Sequence, residues 1–338
     1  MRDLVTWGRM IDLHCHILPG IDDGAVDLGV SLDMARASVA DGVSVLACTP
    51  HILPGLYHNA GPQIVSAIRQ LQDALEENDI PLRLVAGADV HMVPDLVEGL
   101  RSGRIVSLAG SRYILIEPPH HTAPPHLESF FFSMLVEGFV PILTHPERLN
   151  WLPHRYESIR QLVRAGVWMQ VTSGSLAGAF GRHAQYWAHR MLDEGCVHIL
   201  ATDAHDTQRR PPDLSRGRDL AAARVGVEEA DHLVRTRPSG VIDNEIPANL
   251  PMPIALSGSA RLGVGYVEAD LPNADVETEG FAGRANGFRS HHANVRGLVD
   301  RLRHLVGSAP ATRRSGMPSC PRASCKCWTA EAICGPAL

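Results

Sequence analysis

The sequence predicts an α/β fold with a mainly parallel β-sheet that closes into a barrel. Several short runs, such as residues 113–116 and 140–143, are rich in Val, Ile and Leu, which is typical of strands buried on both faces. Segments of helical length separate these runs, and this βα order builds parallel sheets. Seven such units close most naturally into a barrel whose active site lies at the carboxyl ends of the strands.

Each predicted strand is one of these apolar runs. The first ends at His14, and the last is followed by Asp203. The predicted strands lie near residues 10–14, 43–48, 82–87, 113–117, 140–144, 167–172 and 197–202.

The segments between the strands predict helices. Residues 31–41 form an amphipathic pattern with Ser31 as the expected N-cap and Gly42 just past the end, because hydroxyl side chains cap helix starts and glycine follows helix ends. Two further helices are predicted over residues 62–78 and 156–165 in the same way. The remaining connectors of helical length lie near residues 94–101, 126–138 and 182–195.

Histidines and acids follow the apolar runs. His14 and His16 are two residues apart in an extended segment, so their side chains point the same way. Such a pair alone indicates little, but a turn-rich segment with Asp22 and Asp23 comes directly after it. The other ligand-type residues at the ends of apolar runs are His51, Asp89, Glu117, His145, Asp203 and His205. Imidazoles and carboxylates together predict a site for several divalent ions, with manganese, iron or zinc all suited.

The composition favours an enzyme with a sizeable core. The chain has 45% hydrophobic and 20% charged residues and a formal net charge of -6, so nucleic acid is an unexpected ligand. No apolar stretch has the length of a membrane-spanning helix, and Asp3 and Arg9 interrupt the first residues, so neither membrane insertion nor a signal peptide is expected. A cytoplasmic location is therefore expected, with Cys15, Cys48 and Cys196 reduced.

The domain boundaries follow from changes in composition. Residues 1–9 are expected to be an extension, with Met10 as an alternative start, and residues 10–247 the folded domain. Residues 248–338 are rich in Gly, Ser, Pro and Arg, which predicts a disordered tail, with one helix over 296–305 as an open alternative. The tail cysteines at 320, 325, 327 and 334 do not have the paired spacing of a zinc site.

Several ordered motifs carry a resemblance to a known family. They are IDLHCHILPGIDDG at 11–24, TPH at 49–51, RYILIE at 112–117, THPER at 144–148, QVTSGSL at 170–176 and ATDAH at 201–205. About residues 10–245 resemble the bacterial manganese-dependent tyrosine phosphatases of the polymerase and histidinol phosphatase (PHP) superfamily, which act in capsule and exopolysaccharide regulation. The resemblance implies a distorted (β/α)7 barrel with three metal ions, manganese before iron or zinc.

The resemblance also implies roles for single residues. Arg148 and Arg210 match phosphate-binding arginines. Asp89 departs from the family pattern, which usually has Glu at this position, and His91 is an alternative ligand on the same strand face. The implied ligand sets are His14, His16, Asp89 and Asp203 for one ion, Asp89, Glu117 and His145 for a second, and Asp23, His51 and His205 for a third.

The implied reaction is hydrolysis of phosphotyrosine by a metal-bound hydroxide, with the tail of an autophosphorylated bacterial tyrosine kinase as the expected partner. Two alternatives stay open: a phosphoesterase of a small metabolite such as histidinol phosphate, and a non-catalytic metal-binding regulator. A cysteine-based phosphatase is disfavoured, because none of the seven cysteines has an arginine six residues later. Histidines outside the motifs, including His120, His121, His154 and His198, are expected at the surface or in loops. The oligomeric state is not predicted.

Overall fold

The computed structural model describes residues 9–254. This part of the chain alternates between strands and helices. In chain order the strands are β1 (Met10–Cys15), β2 (Val43–Cys48), β3 (His51–Leu53), β4 (Tyr57–His58), β5 (Arg83–Ala86), β6 (Asp89–His91), β7 (Tyr113–Glu117), β8 (Val140–Thr144), β9 (Trp168–Thr172) and β10 (Ile199–Ala201). The helices are α1 (Leu28–Ala40), α2 (Gly61–Glu77), α3 (Leu96–Arg101), α4 (Leu127–Val136), α5 (Leu152–Ala165), α6 (Ser173–Leu176), α7 (Gly181–Asp193), α8 (Leu214–Val225), α9 (Val227–Asp231) and α10 (Arg237–Ile242).

The strands form two sheets, and at two places the chain runs almost directly from a strand of the first sheet into a strand of the second. One sheet has the order β1-β2-β5, and the other has the order β10-β9-β8-β7-β6-β3-β4. Two-residue breaks separate β2 from β3 and β5 from β6, so each pair continues one path from the first sheet into the second. Apart from the antiparallel β3-β4 hairpin, all pairings are parallel.

The first strand also meets the segment that follows the last strand. An isolated parallel bridge joins Cys15 to Ala204, and His16 N donates to Ala204 O at 2.9 Å. Asp203 N donates to His14 O at 2.8 Å. The architecture is a mixed α/β fold with parallel sheets, in which this bridge joins the first sheet to the segment after the last strand of the second. Closure into a (β/α)7 barrel stays a prediction.

Burial explains why the apolar runs form strands. Every residue of β7, β8 and β9 is buried, as expected for strands covered on both faces. The interior contains Tyr113 and Trp168, whose ring centroids are 5.0 Å apart. All seven predicted strands are confirmed, with ends within two residues of the prediction.

The helix predictions are confirmed in position but wrong at some starts. Helix α1 begins at Leu28, and its N-cap is Asp27, whose side chain accepts from Val30 N. The prediction of Ser31 as the cap is wrong, because Ser31 is buried within the helix and its hydroxyl donates to Ile17 O at 2.7 Å. Helix α5 begins four residues earlier than predicted, with a proline in its first turn, a position that proline favours.

Within residues 9–254, helices α8, α9 and α10 follow the last strand, and this segment packs against β1 and β10. Arg237 in α10 is fully buried and forms an ion pair with Glu229 at 2.8 Å, while Tyr113 OH donates to Glu245 O at 2.8 Å. The domain boundaries at 9/10 and 247/248 stay predictions. Residues 248–254 of the expected tail are described, and Arg237 Nε donates to Pro251 O at 2.6 Å. Residues 255–338, which include the expected helix over 296–305 and the tail cysteines, lie outside the described residues.

Within residues 9–254, no helix combines the length and the apolar character that crossing a membrane requires.

Candidate metal centre

The carboxyl ends of the strands bring all the predicted metal-binding side chains into one cluster. His14 lies at the end of β1, Asp89 begins β6, Glu117 ends β7, and His145 follows β8. The ligand-type atoms form four overlapping groups, each within 4.8 Å. The groups are His16, Asp23, His51 and His205; His14, His16 and Asp89; His51, Asp89 and Glu117; and Glu117, His120 and His145.

His14 and His16 are held by partners on the nitrogens that face away from the cluster. His14 Nδ1 donates to Gln170 Oε1 at 2.9 Å, and His16 Nδ1 donates to Asp22 Oδ2 at 2.7 Å. Their Nε2 atoms lie 3.2 Å apart. Metal-binding histidines typically have such an outer hydrogen bond, which fixes the ring and its tautomer. No role was predicted for Gln170, because its partner His14 lies 156 residues away in the chain.

The turn after β1 folds back over His16. Gly24 N donates to Asp22 Oδ1 at 2.9 Å, and Ala25 N donates to His16 O at 3.0 Å. A Cβ atom on Gly24 would lie 2.0 Å from His16 O, so only glycine fits there. The close approach explains why a glycine ends the motif at 11–24.

Asp89 is the most exceptional residue of the cluster. Its side chain is fully buried, yet neither carboxylate oxygen has a hydrogen-bond partner. The nearest opposing groups are His51 Nδ1 at 3.4 Å and His14 Nε2 at 3.7 Å, both from Asp89 Oδ2. An unpaired buried carboxylate is costly unless a cation compensates it. The oxygens and the surrounding imidazoles therefore fit a divalent ion.

Asp203 connects the first two histidines with two arginines. Its Oδ1 lies 3.4 Å from His14 Nε2 and 3.3 Å from His16 Nε2. Its Oδ2 accepts hydrogen bonds from Arg148 and Arg210. The two predicted phosphate-binding arginines thus lie beside the predicted metal ligands.

Asp23, His51 and His205 meet as the family resemblance implied. Asp23 Oδ1 lies 3.4 Å from His205 Nε2 and 3.6 Å from His51 Nε2. About half of the Asp23 side chain is exposed, while His205 is buried. Asp23 is therefore the member of this trio most exposed to solvent.

Glu117 has more histidine neighbours than the sequence indicated. Its Oε1 lies 3.0 Å from His120 Nε2 and 3.6 Å from His145 Nε2, and its Oε2 lies 3.2 Å from His91 Nδ1. His120 was expected only as a surface or loop residue. His120 does lie in a loop, the one after β7, but this loop places it in the cluster. No sequence motif indicated that the loop leads there.

The groups divide the ligands differently from the implied sets. Asp89 shares a group with His51 and Glu117, whereas His145 shares one with Glu117 and His120. The assignment of each residue to one of three ions stays a prediction. His198 lies in the loop before β10, as one of the two expected alternatives, but it is buried rather than at the surface, and its ring stacks on Trp168 with centroids 5.1 Å apart.

Two residues of the cluster have unfavourable backbone conformations. His145 has φ of +34° and Asp203 has φ of +51°, in the left-handed region that non-glycine residues rarely adopt. Such conformations cost of order 1–3 kcal/mol and concentrate at functional sites. Both residues come directly after a strand or its extension, where the chain turns toward the cluster.

Burial and charge set the protonation of the cluster. Burial favours the neutral form of Asp203, but His14 and Arg210 outweigh it and hold the pKa of Asp203 well below its usual range. Burial lowers the pKa of His14 and of His145. Burial also opposes protonation of His16, yet Asp22 and Asp203 raise its pKa to about 10. Metal ions bind ionised carboxylates and neutral imidazoles. Asp203, His14 and His145 therefore have the binding form, whereas His16 must lose a proton to bind an ion.

Buried acids outside the ligand groups hold the surrounding loops. Asp12 Oδ1 accepts from Thr202 N at 3.0 Å, which fixes the segment before Asp203. Glu147 is fully buried and accepts from Thr172 N at 3.0 Å and from Ser175 Oγ at 2.7 Å. Glu147 thereby ties the Arg148 loop to the end of β9.

The fold and the cluster together define an α/β protein with a group of His, Asp and Glu side chains that could hold metal ions. The chain belongs to the CpsB/CapC family of capsular polysaccharide synthesis proteins, whose model matches residues 10–243.

The chain is similar to named tyrosine phosphatases along most of their length. It is 37% identical over 201 residues to the tyrosine-protein phosphatase YwqE of Bacillus subtilis (strain 168), covering 60% of this chain and 79% of the relative. It is 27% identical over 242 residues to the tyrosine-protein phosphatase CpsB of Streptococcus pneumoniae, covering 70% of this chain and 100% of the relative.

A solved structure supports the same relationship. It comes from a study of YwqE from Bacillus subtilis and CpsB from Streptococcus pneumoniae, which are described as unique metal-dependent tyrosine phosphatases. The match has a TM-score of 0.68 and 32% identity, and it covers 72% of this chain and 99% of that chain.

Proposed function

We propose that this chain is a metal-dependent protein tyrosine phosphatase of capsule or exopolysaccharide synthesis. The observation that carries the proposal is the buried Asp89 carboxylate, which lacks hydrogen-bond partners and is surrounded by imidazoles. Family membership and the similarity to named tyrosine phosphatases support it.

The proposed cofactor is a set of three divalent ions, with manganese favoured over iron and zinc. Mixed nitrogen and carboxylate donors suit these metals. The residues that would hold them are His14, His16, Asp23, His51, Asp89, Glu117, His145, Asp203 and His205. Asp89 occurs in two of the four ligand groups, as do His16, His51 and Glu117. A carboxylate has two oxygens, neither of which has a hydrogen-bond partner in Asp89, and this supports a bridging role for Asp89 despite its short side chain.

Divalent ions at this place would lower the pKa of coordinated water from 15.7 to about 7 and neutralise charge on the phosphate oxygens. Arg148 and Arg210 would bind the phosphate, since planar guanidinium groups suit bidentate contacts with phosphate. Gln170 and Asp22 keep the first two histidines oriented. A tyrosine leaving group has a conjugate acid pKa of about 10, so its departure requires less proton donation than that of an alkyl alcohol.

The described cysteines do not fit a nucleophilic role. Cys15 and Cys48 are fully buried, and burial raises the pKa of both thiols far above the range of reactive cysteines. Cys196 is also buried, and burial raises its thiol pKa as well. These three unpaired cysteines support a location in the reducing cytoplasm.

The proposed substrate is a phosphotyrosine protein. More specifically, we propose the tail of an autophosphorylated bacterial tyrosine kinase. The capsule-synthesis family and the phosphatase names of the relatives support this choice.

The test is hydrolysis of a phosphotyrosine peptide and of p-nitrophenyl phosphate by the full chain with manganese. We expect EDTA to abolish turnover and iodoacetamide to leave it unchanged, because the thiols are buried and the ions are essential. Inhibition by iodoacetamide without inhibition by EDTA would refute the mechanism. Metal binding without turnover of either substrate would instead favour a regulator.

A further inference from the structure

A cavity of about 390 Å³ lies beside the metal cluster. Its lining residues are His120, Arg148, Asn150, Phe180, His183 and Ala184. Two of them also belong to the site, since His120 Nε2 lies 3.0 Å from Glu117 Oε1 and Arg148 donates to Asp203 Oδ2. The cavity therefore adjoins both the ligand groups and a predicted phosphate-binding arginine.

Phe180 is the aromatic wall of this cavity. The Arg148 guanidinium carbon lies 4.5 Å from the centre of the Phe180 ring, and that of Arg210 lies 5.8 Å away. Gly174 in α6 lies close to the ring, because a Cβ atom there would be 3.2 Å from Phe180 Cε2. Phe180 is only partly buried and lines the cavity, so part of this residue is accessible to a ligand.

The charges of the lining suit an anionic ester with an aromatic group. None of the lining residues is acidic, and Arg148 contributes a permanent positive charge. A phosphate bound by Arg148 and Arg210 would lie near Phe180, because both guanidinium carbons are within 5.8 Å of the centre of its ring. Aromatic rings gain about 0.5–1.5 kcal/mol from offset or edge contacts beyond the burial of their area, which corresponds to about twofold to tenfold in affinity.

We propose that this cavity binds the aromatic ring of an aryl phosphate and that Phe180 determines the preference for aryl over alkyl esters. The inference rests on the proposed phosphatase function and extends it to a ring-binding subsite. Phe180 also contacts both arginines, so the test must separate ring recognition from the positioning of these side chains.

The test compares two ligands that share a phosphonate group and differ in the ring. Isothermal titration calorimetry measures binding of phenylphosphonate and methylphosphonate to the manganese-loaded full chain. We expect phenylphosphonate to bind about fivefold more tightly. Phe180→Leu should abolish this preference, and Phe180→Tyr should keep it. Tyr186→Leu is the matched control, because Tyr186 is an exposed aromatic residue of α7, the helix that begins directly after Phe180, and is absent from the cavity lining.

A second variant tests the ring subsite even if Phe180→Leu does not fold. Ala184→Leu adds volume to the cavity lining and should weaken phenylphosphonate binding while leaving methylphosphonate binding within about twofold. Equal affinities in the wild-type chain, or a preference that survives both substitutions, would overturn the ring subsite. An equal loss for both ligands in Phe180→Leu would show that Phe180 only positions the arginines. Failure of the wild-type chain to bind either phosphonate would instead count against the proposed phosphatase function.

Discussion

Replacing Asp89 with asparagine should greatly reduce the stabilisation that manganese gives to this chain. The Asp89 side chain is fully buried, and neither oxygen has a hydrogen-bond partner. Asparagine has nearly the same shape but no charge. The substitution therefore removes a ligand from two of the four groups, those shared with His14 and with His51, while leaving the packing almost unchanged.

The size of the effect follows from linkage. An ion present at 100 to 1,000 times its dissociation constant adds about 2.7–4.1 kcal/mol to the free energy of unfolding. A domain of this size gains about 2–4 °C in melting temperature per kcal/mol. We therefore expect manganese to raise the melting temperature of the wild-type chain by about 5–16 °C and that of Asp89→Asn by less than half as much.

In EDTA, the melting temperature of Asp89→Asn should equal or exceed that of the wild-type chain. Removing a buried carboxylate without partners relieves a penalty of about 1–3 kcal/mol, so Asp89→Asn should melt at the same or a higher temperature than the wild-type chain. Differential scanning fluorimetry with a manganese titration measures both conditions, and Asp33→Asn, at an exposed position, is the control. If Asp89→Asn were equally destabilised with EDTA and with manganese, Asp89 would be a structural residue rather than a metal ligand.

Three further predictions concern activity and metal content. Asp89→Glu should keep or raise phosphotyrosine hydrolysis, whereas His14→Ala should abolish it; equal steady-state rates in both variants would contradict the assigned site. His120→Ala should weaken manganese binding about tenfold in a chelator competition, while His121→Ala, which changes an exposed neighbour, should bind manganese as the wild-type chain does. Arg148→Ala should lower kcat/KM about a hundredfold with the metal content retained, and a loss of metal in that variant would point to a structural role instead.

The parallel sheets were predictable because their strands are buried on both faces. The continuous apolar runs of β7, β8 and β9 have no alternation, and every residue in these strands is buried. Hydrophobic pattern therefore located the main strands. The short strands β3, β4 and β6 were not predicted, because two or three residues are too few to show a period.

Helix starts were harder to predict because residues that cap helices also occur inside them. Ser31 was predicted as the N-cap of α1, but Asp27, which belongs to the same class of capping residues, has that role. The structure uses Asp27 because Ser31 instead donates its hydroxyl to Ile17 O at 2.7 Å. The tertiary contact decides between them.

The site was predictable as a set of strand-end residues but not in its contacts. His14 lies at the end of β1, His51 comes after β2, and Asp203 comes after β10. Parallel strands bring these ends together. The direction of a loop is not encoded in the same way, so the approach of His120 to Glu117 was missed. The partnership of Gln170 with His14 was missed because it depends on which strands face each other in the fold.

We propose that cations held by this cluster are the source of phosphotyrosine hydrolysis. The most direct measurement is a stepwise removal of metal from one preparation of the full chain, with metal content and phosphotyrosine turnover determined on each sample. We predict that turnover falls in step with bound metal and returns when manganese is added back. Full turnover in samples from which the metal has been removed would contradict the claim.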